Sequence, residues 1–241
     1  MNKRNDRALV TGASRGIGLA ISEALTEKGY DLLITARDDK ALRKVKSDLM
    51  SKGARVECWA ADLMVASEIE SMFKKAIEFL GGIDILINNA GIGVKSKVVD
   101  LGIEDWDRMH ATNLKAPFLL SKLAAREMIP QGHGHIINIG SGASQTPIAE
   151  QAGYCATKFG LLGFSESLAL ELREHGIKVS IVLPGSTATY FGGSTPEKKS
   201  ASMPGILHAG DVADAVLYLL KQKEPAWTSV LNLRPLNPKK T

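Results

Sequence analysis

The chain has only two cysteines, Cys58 and Cys155, in 241 residues, and their separation matches neither a disulfide framework nor a metal knuckle. Structural thiols in a reducing compartment are expected, and no metal site is. No apolar run reaches the length needed to cross a bilayer, and the opening Met-Asn-Lys-Arg-Asn-Asp has no hydrophobic stretch behind its charges. A cytoplasmic protein is the expectation. Excess charge is also missing: the formal net charge is +4, and only Lys198-Lys199 and the tail pair Lys239-Lys240 cluster. Neither a nucleic-acid nor a membrane partner is implied. Internal repeats and linkers are absent, so residues 1–241 read as a single domain, large enough to bury a full core.

What is present is an alternation. Short apolar runs (Ala8–Val10, Asp31–Ala36, Arg55–Ala60, Asp84–Asn88, His135–Ile139, Lys178–Leu183 and Ser229–Leu233) are separated by helix-patterned segments. Those helices span about Ile17–Lys28, Lys40–Ser51, Ala66–Leu80, Glu104–Leu114, Pro117–Ile129, Tyr154–His175 and Asp211–Lys221. Strands that are continuously apolar, with no in–out alternation, are covered on both faces. The fold class is therefore α/β, a doubly wound parallel sheet. The stretch 190–205, rich in Gly, Ser and Lys, is expected to be a mobile loop or lid.

Three features carry chemistry. Thr11-Gly-Ala-Ser-Arg-Gly-Ile-Gly18 falls between the first strand and first helix, where backbone amides and the helix dipole can hold a pyrophosphate. Its Gly-x-x-x-Gly-x-Gly spacing differs from the commoner Gly-x-Gly-x-x-Gly. Tyr154 and Lys158 are one turn apart on one helix face, where a cation favours phenolate and readies a tyrosine to trade a proton. Ser141 precedes them by thirteen residues, with Ser144 as a competitor for its role. Asp62, after the third strand, could accept from an adenine amino group or simply start a helix.

In this order the chain resembles the short-chain dehydrogenase/reductase family over nearly its whole length. The resemblance rests on the glycine turn, Asp62-Leu63, Asn88-Asn-Ala-Gly91, Asn113, Ser141, Tyr154-x-x-x-Lys158 and Pro184-Gly185. It implies a single Rossmann-type domain with strand order 3-2-1-4-5-6-7 and a tetrad of Asn113, Ser141, Tyr154 and Lys158. Tyr154 would be the general acid/base, Ser141 a second donor to the substrate oxygen, and Lys158 the group that lowers the tyrosine pKa and binds the nicotinamide ribose. Asn113 would sit where its helix is interrupted. The cofactor would also meet Gly12, Ser14, Arg15, Gly16, Ile17 and Gly18 in the turn, Asp62 and Leu63, and Asn89, Ala90 and Gly91. Pro184, Gly185, Thr187 and Thr189 would face the nicotinamide, with Thr187 where the family usually has valine.

The second strand ends Ile34-Thr-Ala-Arg37, where an NAD site would usually have an acidic residue. Arg37, helped by Arg15, suits the 2′-phosphate of NADP, although Asp38 leaves room for NAD. A carbonyl or secondary alcohol substrate is implied. Reduction of 3-oxoacyl groups on acyl carrier protein is an alternative, weakened because the chain ends Leu231-Asn-Leu-Arg-Pro-Leu-Asn-Pro238 and not on an Asp-Gly-Gly-like motif. A non-catalytic dinucleotide-binding regulator is a further alternative. Gly153, Ala156, Gly160 and Gly163 would admit a second helix closely, either in a homodimer or homotetramer or within the chain.

Overall fold

The computed structural model describes residues 6–193 and 195–236. Lys239-Lys240 and the end of the C-terminal motif lie outside them. In chain order the elements are β1 (Arg7–Thr11), α1 (Gly16–Glu27), β2 (Asp31–Ala36), α2 (Asp39–Ser51), β3 (Val56–Ala60), α3 (Ala66–Leu80) and β4 (Ile85–Asn88). Then come α4 (Ile103–His110), a π-helical turn (Ala111–Lys115), α5 (Ala116–Gln131), β5 (Gly134–Ile139), α6 (Ala152–Leu172) and β6 (Ile177–Pro184). The chain continues through β7 (Thr187–Ala188), α7 (Pro196–Ser202), β8 (Leu207–His208), α8 (Ala209–Lys221) and β9 (Val230–Leu233).

Seven strands form one parallel sheet in the order β3-β2-β1-β4-β5-β6-β9, so the seventh sheet strand lies beside the sixth, as the resemblance implied. Successive residues of each strand enter opposite layers. Ala8, Val10, Leu32, Ile34, Ile85 and Ile87 pack with α1, α2 and α8 residues such as Ile21, Leu42 and Val216. Leu9, Leu33 and Leu86 pack with Met72, Leu120, Met128 and Leu172 on the other face. Burial on both sides is why these strands read as unbroken apolar runs. Because every strand is parallel, the C-terminal ends of β1, β4, β5 and β6 open on one edge, the usual ligand edge of such sheets.

Two local readings change. Glu104–Leu114 and Pro117–Ile129 are not separate helices: α4, the π turn and α5 follow one another without a break. The wider turn absorbs Pro117, which has no N–H to give the carbonyl of Asn113 four residues back. The stretch 190–205 is not all loop, because Pro196 starts α7 and Thr195 caps it by accepting from Lys198 N–H at 3.3 Å. The small pair β7–β8 anchors both sides of this segment.

Candidate active site

Thr11, the last residue of β1, organises the glycine turn. Its hydroxyl accepts from the main-chain N–H of Asn89 (2.9 Å) and Ala90 (3.0 Å) and donates to the Ile87 carbonyl (3.2 Å). The Asn89 amide donates back to the carbonyls of Thr11 (2.9 Å) and Gly12 (3.3 Å). The ends of β1 and β4 are thereby locked together. Gly12 has φ +66°, and a Cβ there would lie 2.8 Å from Asn89 Nδ2; one on Gly18 would strike the Gly12 carbonyl oxygen. These two glycines serve close packing. Gly16, with φ +60°, instead faces open space bounded by Thr189 at 3.6 Å. α1 begins behind it with no side-chain cap at Arg15 and no acidic residue in its first turn. First-turn N–H groups at the positive end of a helix dipole suit a pyrophosphate, so the cradle formed by residues 12–18 fits a dinucleotide.

The adenosine end has its own hollow, about 300 Å³, lined by Arg37, Ala60, Ala61, Asp62 and Glu68. Asp38 is committed elsewhere, since its carboxylate caps α2 by accepting from Ala41 N–H at 3.0 Å. That removes the residue that left room for a ribose diol grip, while Arg37 stays exposed at the hollow. Asp62 accepts from Met64 N–H (3.0 Å) and its own N–H donates to Glu68 (2.8 Å), while Val65 holds the cap position of α3. Asp62 therefore shapes a turn before the helix, and the neighbouring Leu63 is buried. Arg15 lies over the ring of Tyr190, 5.5 Å from its centroid.

At the centre of the edge, Asn113 is wholly buried in the π turn. Its side chain clasps the main chain of Ile92, accepting from N–H and donating to C=O at 2.8 Å each, and also donates to Thr157 Oγ1 at 3.0 Å. Thr157 donates to the Tyr154 carbonyl at 2.8 Å, which ties the π turn to α6 at the residue just before Lys158. Ser141 follows β5 in extended conformation and opens a short turn. Its Oγ accepts from Ala143 N–H (3.1 Å), and Ser144 Oγ accepts from Ser141 N–H (3.3 Å). Ser144 is fully buried and acts as a brace, while Ser141 reaches the Tyr154 side chain. Gly91 faces the same centre: a Cβ there would lie 3.4 Å from Asn113 Oδ1 and 3.7 Å from Lys158 Nζ.

The electrostatics correct one expectation. Burial pushes the Tyr154 phenol up to about 12, with the Ser141 hydrogen bond offsetting part of that rise. Lys158 does not bring it toward neutrality. Its ammonium donates to the Ile139 carbonyl at 3.0 Å and lies 5.8 Å from the Tyr154 ring centroid, over the ring. Burial pushes Lys158 itself down to about 8. Desolvation wins on both groups, because each loses water and gains at most a dipole.

The sequence reading missed several parts. Phe191 packs on Tyr154, with ring centroids 5.4 Å apart, and a Cβ on Gly93 would lie 2.8 Å from its ring. Lys199 holds that residue by donating to the Phe191 carbonyl at 2.5 Å. Under the site Asn88 donates to Ser121 (3.2 Å) and Asn138 (2.8 Å), and Asn138 donates to Ser165 (2.8 Å). The polar residues Thr11, Asn138 and Thr157, sitting in otherwise apolar surroundings, were the available signal. Pro184 ends β6; Gly185 N–H donates to the Leu233 carbonyl (2.7 Å), Thr187 donates to the Gly185 carbonyl (3.0 Å), and Thr189 is buried beside Gly16.

The sequence matches the short chain dehydrogenase family over residues 6–200. The chain belongs to this family and is an oxidoreductase. It is 34% identical to an uncharacterized oxidoreductase of Staphylococcus epidermidis, over 95% of this chain and 96% of that protein. It is 36% identical to the 3-oxoacyl-(acyl-carrier-protein) reductase FabG of Escherichia coli, over 91% of each. Among solved structures, it resembles a metagenomic short-chain oxidoreductase in complex with NADP at 37% identity and TM-score 0.84, covering 96% of this chain and 97% of that one. An alcohol dehydrogenase from Thermococcus sibiricus, complexed with 5-hydroxy-NADP, aligns at 30% identity and TM-score 0.91, covering 99% and 100%.

Proposed function

We propose that the protein is an NADP-dependent carbonyl reductase or alcohol dehydrogenase, with Asn113, Ser141, Tyr154 and Lys158 as its working groups. The observation that carries this reading is the convergence of all four on the edge where the glycine cradle opens, linked by the Thr157 and Ile139 hydrogen bonds. When bound, the nicotinamide supplies or accepts the hydride. Tyr154 holds its proton throughout the neutral range and delivers it to the substrate oxygen. Ser141, beside the Tyr154 side chain, turns its own O–H to that oxygen and stabilises the charge that builds there. Lys158 supplies positive charge below pH about 8 and would hold the ribose hydroxyls. Asn113 fixes Ile92 and Thr157, keeping the floor of the site in register.

The NADP preference is supported by the exposed Arg37, by the capping role of Asp38, and by relatives whose structures hold NADP. Residues 190–205 serve as a substrate lid, with Phe191 on Tyr154. The FabG relatives keep an acyl-carrier substrate as the second reading. Of the small residues on α6, Gly153 packs on Met109 and Gly160 on Leu114, so both serve intrachain contacts. The exposed Phe118, Phe159 and Leu170 support a homodimer or homotetramer. No helix among the described residues is long and apolar enough to cross a membrane, and a cytoplasmic location is part of the proposal. The test is kcat/KM with NADPH and NADH over ketones and 3-oxoacyl thioesters, in wild type and Arg37→Ala. Wild type favours NADPH, and the substitution removes about 1.5–3 kcal/mol of NADPH preference, the range for a charged hydrogen bond. A wild type that favours NADH sinks the cofactor assignment.

A further inference from the structure

Arg234 stands one residue past β9, between two segments of the site. A Cβ on Gly142, the residue after Ser141, would collide with Arg234 Nη1, and one on Gly185 would lie 3.6 Å from Arg234 Cδ. Its backbone is set from both sides. Leu233 pairs with Pro184 in the sheet and accepts from Gly185 N–H at 2.7 Å. Pro235, whose Cδ would be 2.9 Å from a Gly185 Cβ, confines the residue before it to extended conformations. The guanidinium is thus held against the Ser141–Gly142 turn and not left on a free tail.

Five other arginines have partners. Arg7 grips Asp84, Arg43 pairs with Asp39, Arg55 with Asp31 and Arg108 with Asp105, and Arg15 covers Tyr190. Arg234 is exposed and has no ion-pair or hydrogen-bond partner among the described residues. The residue after Gly142, Ala143, belongs to an apolar cluster in which Tyr154 and Met109 pack with Ile92 and Val94, and Phe191 packs at a tilt against Tyr154. One unpaired planar cation beside a hydrogen-bonding serine and next to an apolar cluster is how a site tells a carboxylate-bearing substrate from its neutral analogue.

Building on the reductase reading, we propose that Arg234 is a specificity-determining residue that pairs with a carboxylate borne by the substrate, so that the preferred substrates are oxo acids or hydroxy acids with an apolar substituent.

The experiment compares benzoylformate with its methyl ester, using NADPH, in wild type, Arg234→Gln, Arg234→Lys and the distant charge control Arg173→Gln. The expected result is a wild-type preference for the acid in kcat/KM. Arg234→Gln lowers the acid-to-ester ratio about tenfold or more through KM, Arg234→Lys restores part of it, and Arg173→Gln leaves it alone. The proposal is overturned if ester and acid are turned over with a ratio indifferent to position 234. It is overturned equally if Arg234→Gln raises KM for NADPH while sparing the ratio, since the cation would then serve the cofactor. Silence of wild type on both substrates, and on the wider carbonyl panel, overturns the reductase reading itself. Ester turnover distinguishes that failure from loss of the carboxylate contact.

Discussion

Both edges of the sheet bury a cation, and they treat it in opposite ways. At the N-terminal edge the Arg7 guanidinium donates twice to the Asp84 carboxylate, at 2.8 and 2.6 Å, then to Gly81 O at 2.5 Å and Gln131 Oε1 at 2.6 Å. Its main-chain N–H donates to Asp84 as well, at 2.9 Å. At the C-terminal edge Lys158, just as buried, has one acceptor among the described residues, the neutral Ile139 carbonyl. A fully satisfied ion pair leaves nothing over for a ligand. A cation with spare donors, pushed down to about 8 by burial, is held at a cost that only a bound partner would offset. The paired edge is built for folding, and the underpaired edge keeps the spare donors that the proposed function uses.

The largest effect tests the paired edge. Asp84→Ala strands a buried guanidinium and should cost about 3–5 kcal/mol of stability in denaturant unfolding. Enough protein should stay folded at low temperature to show kcat/KM within a factor of about two of wild type, since the site is at the other end of the strands. An equally large loss of turnover in the folded fraction would erase the distinction between the edges.

Tyr154→Phe should do the reverse. The ring and its packing on Phe191 remain and the proton donor goes, so kcat should fall by a factor on the order of 10² or more. The melting temperature and NADPH affinity should stay close to wild type. Retention of most activity would mean that another group delivers the proton.

Lys158→Met sharpens the contrast most directly, because it removes a buried charge instead of stranding one. Stability near pH 7 should hold or rise, while kcat and cofactor affinity each drop about tenfold, a charged hydrogen bond's worth. For the same reason wild-type reduction should weaken as pH rises through about 8, where Lys158 loses its proton, while Tyr154 keeps its own up to about 12. A pH–rate profile that is flat from 7 to about 9 would leave Lys158 without an electrostatic role.

Much of this architecture is legible before any coordinates. The strands at Asp31–Ala36 and the helix at Ala66–Leu80 fall where their apolar patterns place them, because two-sided burial and helical periodicity are local properties of sequence. The glycine turn is legible because a left-handed backbone at Gly12 and Gly16 and close contact at Gly18 demand glycine. The π turn is legible only through the resemblance, which implies an interruption at Asn113; locally, nothing distinguishes a widened helical turn from a helix ending before Pro117. The direction of the Tyr154 shift is hidden from the sequence for a related reason. Spacing shows that a lysine is near, but only depth of burial shows that desolvation outweighs its charge. Arg234 belongs to an ending that is atypical in sequence, yet its position against Gly142 depends on pairing between β6 and β9, whose partner residues are nearly fifty positions apart.

The smallest expected effect returns to the structural edge and asks whether every polar group there is as settled as Arg7. His135, near the start of β5, is 6% exposed and its Nε2 lies 2.8 Å from Ser180 Oγ. Ser180 spends its own proton on the Thr228 carbonyl at 2.6 Å, so the histidine is the donor and is neutral. Burial, with Lys178 nearby, pushes its pKa from 6.5 down to about 3. The folded state thus refuses a proton that the unfolded chain takes up below pH 6.5. Stability is fully present above that pH and is lost as the pH falls toward 3. Between pH 6.5 and 5.5, before most carboxylates titrate, the loss should be about 1 kcal/mol. His135→Asn is less stable at pH 7, yet it should lack this part of the slope. Unfolding free energies at the two pH values, measured in both proteins, check it: equal slopes would show that His135 takes up its proton within the folded protein.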